Sequence, residues 1–233
     1  MFPPMDMVFA RRGSGPPLVV LCGTGSRGRA WEPVIGILAA EREVLLATVP
    51  PGDLDATTTA LALAITGLDR PHIAGWGFGG LVALEAAERG IVSSATAIAP
   101  TGFAEASRSS LLLAAARRCA ALPGMLLERL VAPPVTGSLP YRAGFGGPPP
   151  VPDDGSAFTG DLADVPVTLA WGTRRGGGAP TCARSAHARL PHVTHLRLPG
   201  CGRIPMADAP RMVAEVILTA TAAAERQRVA IAG

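Results

Sequence analysis

The chain has no run of about 18 apolar residues, the length a membrane-spanning helix requires. Its Ala/Leu-rich stretch 111–131 is broken by Arg117, Arg118, Pro123 and Gly124. A secretory leader is not expected either, because residues 1–15 carry Pro3, Pro4 and Asp6 where an apolar segment would lie. Charge is sparse: Asp, Glu, Lys and Arg make up 17% of 233 residues, and the formal net charge is only +3. The pairs Arg11-Arg12, Arg117-Arg118 and Arg174-Arg175 are too short to form a nucleic-acid-binding patch. Four cysteines, at 22, 119, 182 and 201, lack metal-ligand spacing and read as reduced thiols. The expectation is a soluble cytoplasmic protein with no metal, no organic cofactor, no nucleic-acid partner and no membrane partner.

At 48% hydrophobic residues, the chain can bury a substantial single core. Strand-like and helix-like segments alternate, which argues a parallel α/β sheet. Strands are expected near 7–11, 18–22, 44–49, 72–76, 95–99, 165–171 and 194–198. Leu18-Val19-Val20-Leu21-Cys22 is continuously apolar, as in a strand buried on both faces. Helices are expected near 30–40, 57–68, 79–89, 180–189 and 210–226, and proline suits the first turn of the last two. Residues 101–160 interrupt this rhythm. Within them, 107–121 has helical composition and 132–160 is rich in Pro and Gly. A long irregular segment inside a compact domain reads as a lid or binding loop. The expected organisation is one domain over 1–233, with a core of 1–100 and 161–233 and a short cap-like insertion at 101–160.

One motif is incomplete. Gly75-Trp76-Gly77-Phe78-Gly79 follows a strand and opens a helix. A nucleophile elbow in that context reads G-x-S-x-G, and its serine position is here Gly77.

Three further segments extend the pattern. Pro17-Leu18-Val19-Val20-Leu21-Cys22-Gly23-Thr24-Gly25-Ser26 looks like a strand and oxyanion loop. Trp171-Gly172-Thr173-Arg174-Arg175 resembles a W-G-x-x-D segment. Leu198-Pro199-Gly200-Cys201-Gly202-Arg203-Ile204-Pro205 resembles G-x-G-H-x-P. Together with the elbow these resemble the α/β-hydrolase family, over most of the chain outside 101–160. The resemblance implies the α/β-hydrolase fold: a mostly parallel central sheet flanked by helices, with a reduced lid. It also implies that Gly77, Arg175 and Arg203 occupy the nucleophile, acid and histidine positions of a catalytic triad, all three replaced.

No histidine is expected to take over. His72 begins the elbow strand about 16 Å from Gly77, at about 3.3 Å per residue. His187, His192 and His195 lie before or at the start of the last strand, and Ser26 has no visible base. Cys22 and Cys201 both follow strands that should end at the site, so they are substitute nucleophiles to weigh against their usual role as buried packing residues. With Ser26 and Trp76 they are candidate ligand contacts. By resemblance, the oxyanion hole consists of the backbone N–H groups of Thr24 and Phe78, which do not depend on the missing side chains.

If Arg175 and Arg203 faced each other at about 5 Å, their repulsion would be about 3 kcal/mol at an effective dielectric of 20. An anion between them, or Asp208 or Glu105, would relieve it. Three readings follow. The first is a non-hydrolytic enzyme performing cyclisation, elimination or C–C bond chemistry on a small apolar carbonyl compound, anionic in one form, as in specialised metabolism. The second is an inactive pseudo-hydrolase that binds a small molecule or a protein partner. The third is a weak esterase or thioesterase acting through cysteine or water.

Overall fold

The structure, a computed structural model, describes residues 7, 9–22, 29–49, 53–103, 158, 160, 162, 164–174 and 179–232. Most of the expected insertion at 101–160 therefore lies outside the described residues, as do Thr24, Ser26, Glu105, Cys119 and Arg175.

Seven strands form one sheet: β1 (Phe9–Arg12), β2 (Pro17–Cys22), β3 (Glu43–Thr48), β4 (His72–Trp76), β5 (Ser94–Ile98), β6 (Val167–Gly172) and β7 (Thr194–Leu198). Their order is β1-β3-β2-β4-β5-β6-β7. Only β1 runs antiparallel, pairing with β3 at one edge. The rest are parallel, so every strand from β2 to β7 ends on the same side of the sheet. Central strands β4, β5 and β6 are buried almost throughout, as their apolar sequences require.

Helices cover both faces. Helices α2 (Leu54–Ala64), α3 (Phe78–Glu88) and α4 (Ala179–Arg189) lie on one. Helices α1 (Glu32–Leu38), α5 (Pro205–Asp208) and α6 (Pro210–Ala232) lie on the other. Two apolar clusters result. One joins Leu21, Ile73, Leu81, Phe103 and Trp171, and the other joins Val20, Trp31, Ile98, Cys201 and Ile217. Among the described residues, no helix is long and apolar enough to cross a membrane.

Helix α2 begins three residues earlier than its composition suggests, because Asp53 caps it. The Asp53 carboxylate accepts from the N–H groups of Asp55 at 2.9 Å and Ala56 at 3.3 Å. Such a cap stabilises a helix by about 1 kcal/mol. Helix α6 runs six residues past its expected end. Within the extension Arg228 donates to Ser93 Oγ at 2.8 Å, and just before it an ionic anchor holds the helix to the far end of the sheet. Arg42, 6% exposed, grips Glu225 through both guanidinium nitrogens. The His72 Nε2 lies 3.3 Å from the same carboxylate, and its Nδ1 lies 2.8 Å from Ser94 Oγ. Burial pushes the His72 imidazole below its ordinary 6.5, against the pull of Glu225 and with the help of Arg42. The hydrogen bond from Arg42 holds Glu225 below the ordinary carboxylate value, against the cost of burial.

Candidate active site

Backbone geometry defines the site. Strand β4 ends at Trp76, and the chain turns into α3 through Gly77 at φ 60°, ψ −121°. These angles lie outside the regions that residues with a Cβ favour. The turn is held from both sides: the Gly77 N–H donates to Ile98 O at 3.1 Å, and its carbonyl accepts from the N–H groups of Leu81 and Thr101 at 3.2 and 3.1 Å. The flanking glycines are steric necessities. A Cβ on Gly75 would lie 2.1 Å from Gly79 O, and one on Gly79 would lie 2.8 Å from Leu21 O. Position 77 is the reverse case, because a Cβ there would meet nothing within 4 Å among the described residues. The elbow thus keeps its sharp strand–helix turn and leaves open the space a nucleophilic side chain would fill.

Phe78 opens α3 with its ring buried at 5% exposure. The first N–H groups of a helix have no partner within it and carry the positive end of its dipole. Phe78 therefore sits where the resemblance requires an oxyanion donor. The expected second donor, Thr24, lies outside the described residues. Ala99, next to the elbow at the end of β5, has φ 42°, and the Thr101 hydroxyl beyond it is buried without a hydrogen-bond partner.

The loop after β7 reaches the elbow through Trp76, whose indole N–H donates to Arg203 O at 3.1 Å. Arg203 is exposed, and its guanidinium has no ion pair or hydrogen bond among the described residues. Asp208, weighed above as a partner for the arginines at 175 and 203, instead pairs with Arg174 at 3.3 Å and accepts from the Gly202 N–H at 2.6 Å. Arg174 also donates to Gly200 O. Gly172 is pressed so closely against this loop that a Cβ would lie 2.4 Å from Gly202 O. Arg174 and Asp208 therefore fix the loop that presents Arg203. Sequence reading missed this brace, although Asp208 is the first acid after Asp164 and so the nearest in sequence that could neutralise these arginines.

The two cysteines weighed as nucleophiles are packing residues here. Cys22 is fully buried, and its thiol lies 3.1 Å from Ala47 O. Cys201 is fully buried too. Burial and then Asp208 push its thiol above the ordinary value, against Arg174, which disfavours the reactive thiolate. His72 sits at the opposite end of β4 from the elbow, and His195 lies 2.8 Å from Leu190 O on the α4 face of β7. No group of three or more His, Cys, Asp or Glu suited to a metal occurs among the described residues.

Comparison with known proteins agrees with this architecture. No family model matches the chain. A pimeloyl-acyl-carrier-protein methyl ester esterase from Aeromonas hydrophila is 32% identical over 92 residues. That match spans 36% of this chain and 36% of that relative, so about a third of its length is compared. An α/β-hydrolase fold protein from Burkholderia ambifaria superposes with a TM-score of 0.65, covering 94% of this chain and 98% of that one at 20% identity. A thermophilic esterase from Thermogutta terrifontis, with malate bound, gives a TM-score of 0.63 over 94% and 93% at 17% identity. The chain has the α/β-hydrolase fold.

Proposed function

We propose that this α/β-hydrolase-fold protein has exchanged its nucleophile for an open binding position, and that it polarises a carbonyl or seats a carboxylate without forming an acyl-enzyme. One observation carries the reading: Gly77 retains the elbow backbone while the space of its missing side chain stands open among the described residues. Backbone donors at the start of α3 work without a serine, and one such donor can supply about 2.7–4 kcal/mol of transition-state stabilisation. Arg203 adds positive charge on the adjoining loop, with Arg175 as its expected counterpart. Together these favour a ligand whose oxygen carries or develops negative charge. Enolate-forming cyclisation, elimination or C–C bond chemistry on a small apolar carbonyl compound fits such a site, with positioning and electrostatics as the source of rate. The substrate named for the Aeromonas relative is an ester of an acyl chain, which extends the ligand class to acyl esters and the acids derived from them.

A binder without turnover would use the same pocket. The burial of Cys22 and Cys201 favours either of these readings over a residual cysteine esterase.

Labelling with a fluorophosphonate tests the claim. The natural chain is expected to remain unlabelled. The variant Gly77→Ser/Arg175→Asp/Arg203→His is expected to be labelled at position 77. Labelling of the natural chain, or a folded variant that resists the probe, would overturn the reading.

A further inference from the structure

From Val165 to Ala207 the chain contains six arginines and three histidines but no aspartate or glutamate. This stretch builds β6, α4 and β7, so all its charge of one sign is placed at one edge of the sheet. Between α4 and the two strands lies a cleft of about 460 Å³, away from the elbow and on the α4 face. Trp171 and Ala183 give it an apolar lining, and Arg184 and Arg197 stand exposed on it. His187 and His195 pack edge-to-face along it, with ring centres 4.7 Å apart.

Six of the other described arginines, Arg11, Arg12, Arg42, Arg89, Arg174 and Arg228, each meet a carboxylate. Neither Arg184 nor Arg197 has an ion pair or hydrogen bond among the described residues. Two guanidinium groups without a carboxylate partner among the described residues, beside an apolar recess and with no acid in the surrounding segment, suit a ligand that brings its own negative charge and an apolar body.

We infer that this edge cleft is a second ligand site, taking a small carboxylate with an apolar tail. The tail lies against Trp171 and Ala183, and the carboxylate is held by Arg184 and Arg197. The site is separate from the elbow pocket and does not depend on the function proposed for it.

Calorimetric titration of octanoate and of 1-octanol into the full chain tests the inference. Octanoate is expected to bind at a saturable site in this cleft, besides any it occupies at the elbow, and octanol about tenfold more weakly there, about the effect of losing one hydrogen bond to a charged group. Arg184→Gln/Arg197→Gln should weaken octanoate by a similar factor, and Arg184→Lys/Arg197→Lys by less. Ala183→Trp, which fills the cleft without altering charge, should abolish binding at the cleft and leave any at the elbow. Arg203→Gln should weaken only the elbow and leave the cleft site unchanged. Three results would each overturn the inference: no octanoate binding, equal binding of octanol, or octanoate affinity unchanged in both Arg184→Gln/Arg197→Gln and Ala183→Trp. Loss of all binding in Arg203→Gln would also overturn it, by placing the ligand at the elbow.

Discussion

Gly75→Ala is expected to destabilise the fold by more than about 3 kcal/mol, at the severe end for a single methyl group. The added carbon would lie 2.1 Å from Gly79 O, 2.4 Å from Gly79 C and 2.7 Å from Gly80 N. All three are backbone atoms, so no side chain can swing aside. The only relief is to lift α3 from β4, which opens the core around Leu81, Val82 and Leu84. Gly77→Ala, two residues on, is the control. Its methyl group meets nothing, so the cost is the strain of φ 60° alone, about 1–3 kcal/mol. Urea unfolding of both variants would measure the contrast. Equal midpoints would mean that strand and helix do not approach as closely as the elbow geometry requires.

Glu225→Ala should be damaging although it lies at the far end of the sheet from the elbow. It leaves Arg42, 6% exposed, as an uncompensated buried cation, and removes a partner of His72. Breaking a fully buried pair costs about 3–5 kcal/mol. The Glu225 side chain is 39% exposed, so solvent screening lowers the expectation to about 2–3 kcal/mol. The double variant Arg42→Met/Glu225→Met should recover much of the loss, because two apolar side chains replace two charges that had to be desolvated. A double variant as unstable as Glu225→Ala would show that the pair contributes more than mutual neutralisation.

The fold was readable wherever apolar runs and breakers set the element. Strands β4 and β7 fall where their sequences place them, because both faces of β4 are buried and Pro199 follows β7. The ends of helices were less readable. The α2 start depends on Asp53 accepting two N–H groups, and the α6 end lies beyond an anchor that joins residues 183 positions apart. At the candidate site, the glycine frame of the elbow could be read because its steric demands are local. The braces could not: Trp76 meets the Arg203 carbonyl across 127 residues, and Arg174 meets Asp208 across 34. Periodicity carries no information about such pairings. Cys22 looked eligible because β2 ends towards the site, yet its side chain points into the core and lies by Ala47 O of β3.

The central claim is that the elbow and its oxyanion donors persist without a nucleophile. It is tested most directly by comparing hydrolysis of p-nitrophenyl butyrate by the natural chain and by Gly77→Ser/Arg175→Asp/Arg203→His. The account predicts a natural chain close to the buffer rate and a variant at least about 10³-fold faster, since a complete triad can contribute about 10⁶. Turnover by the natural chain at an ordinary enzymatic rate, about 1–10³ s⁻¹, would contradict it.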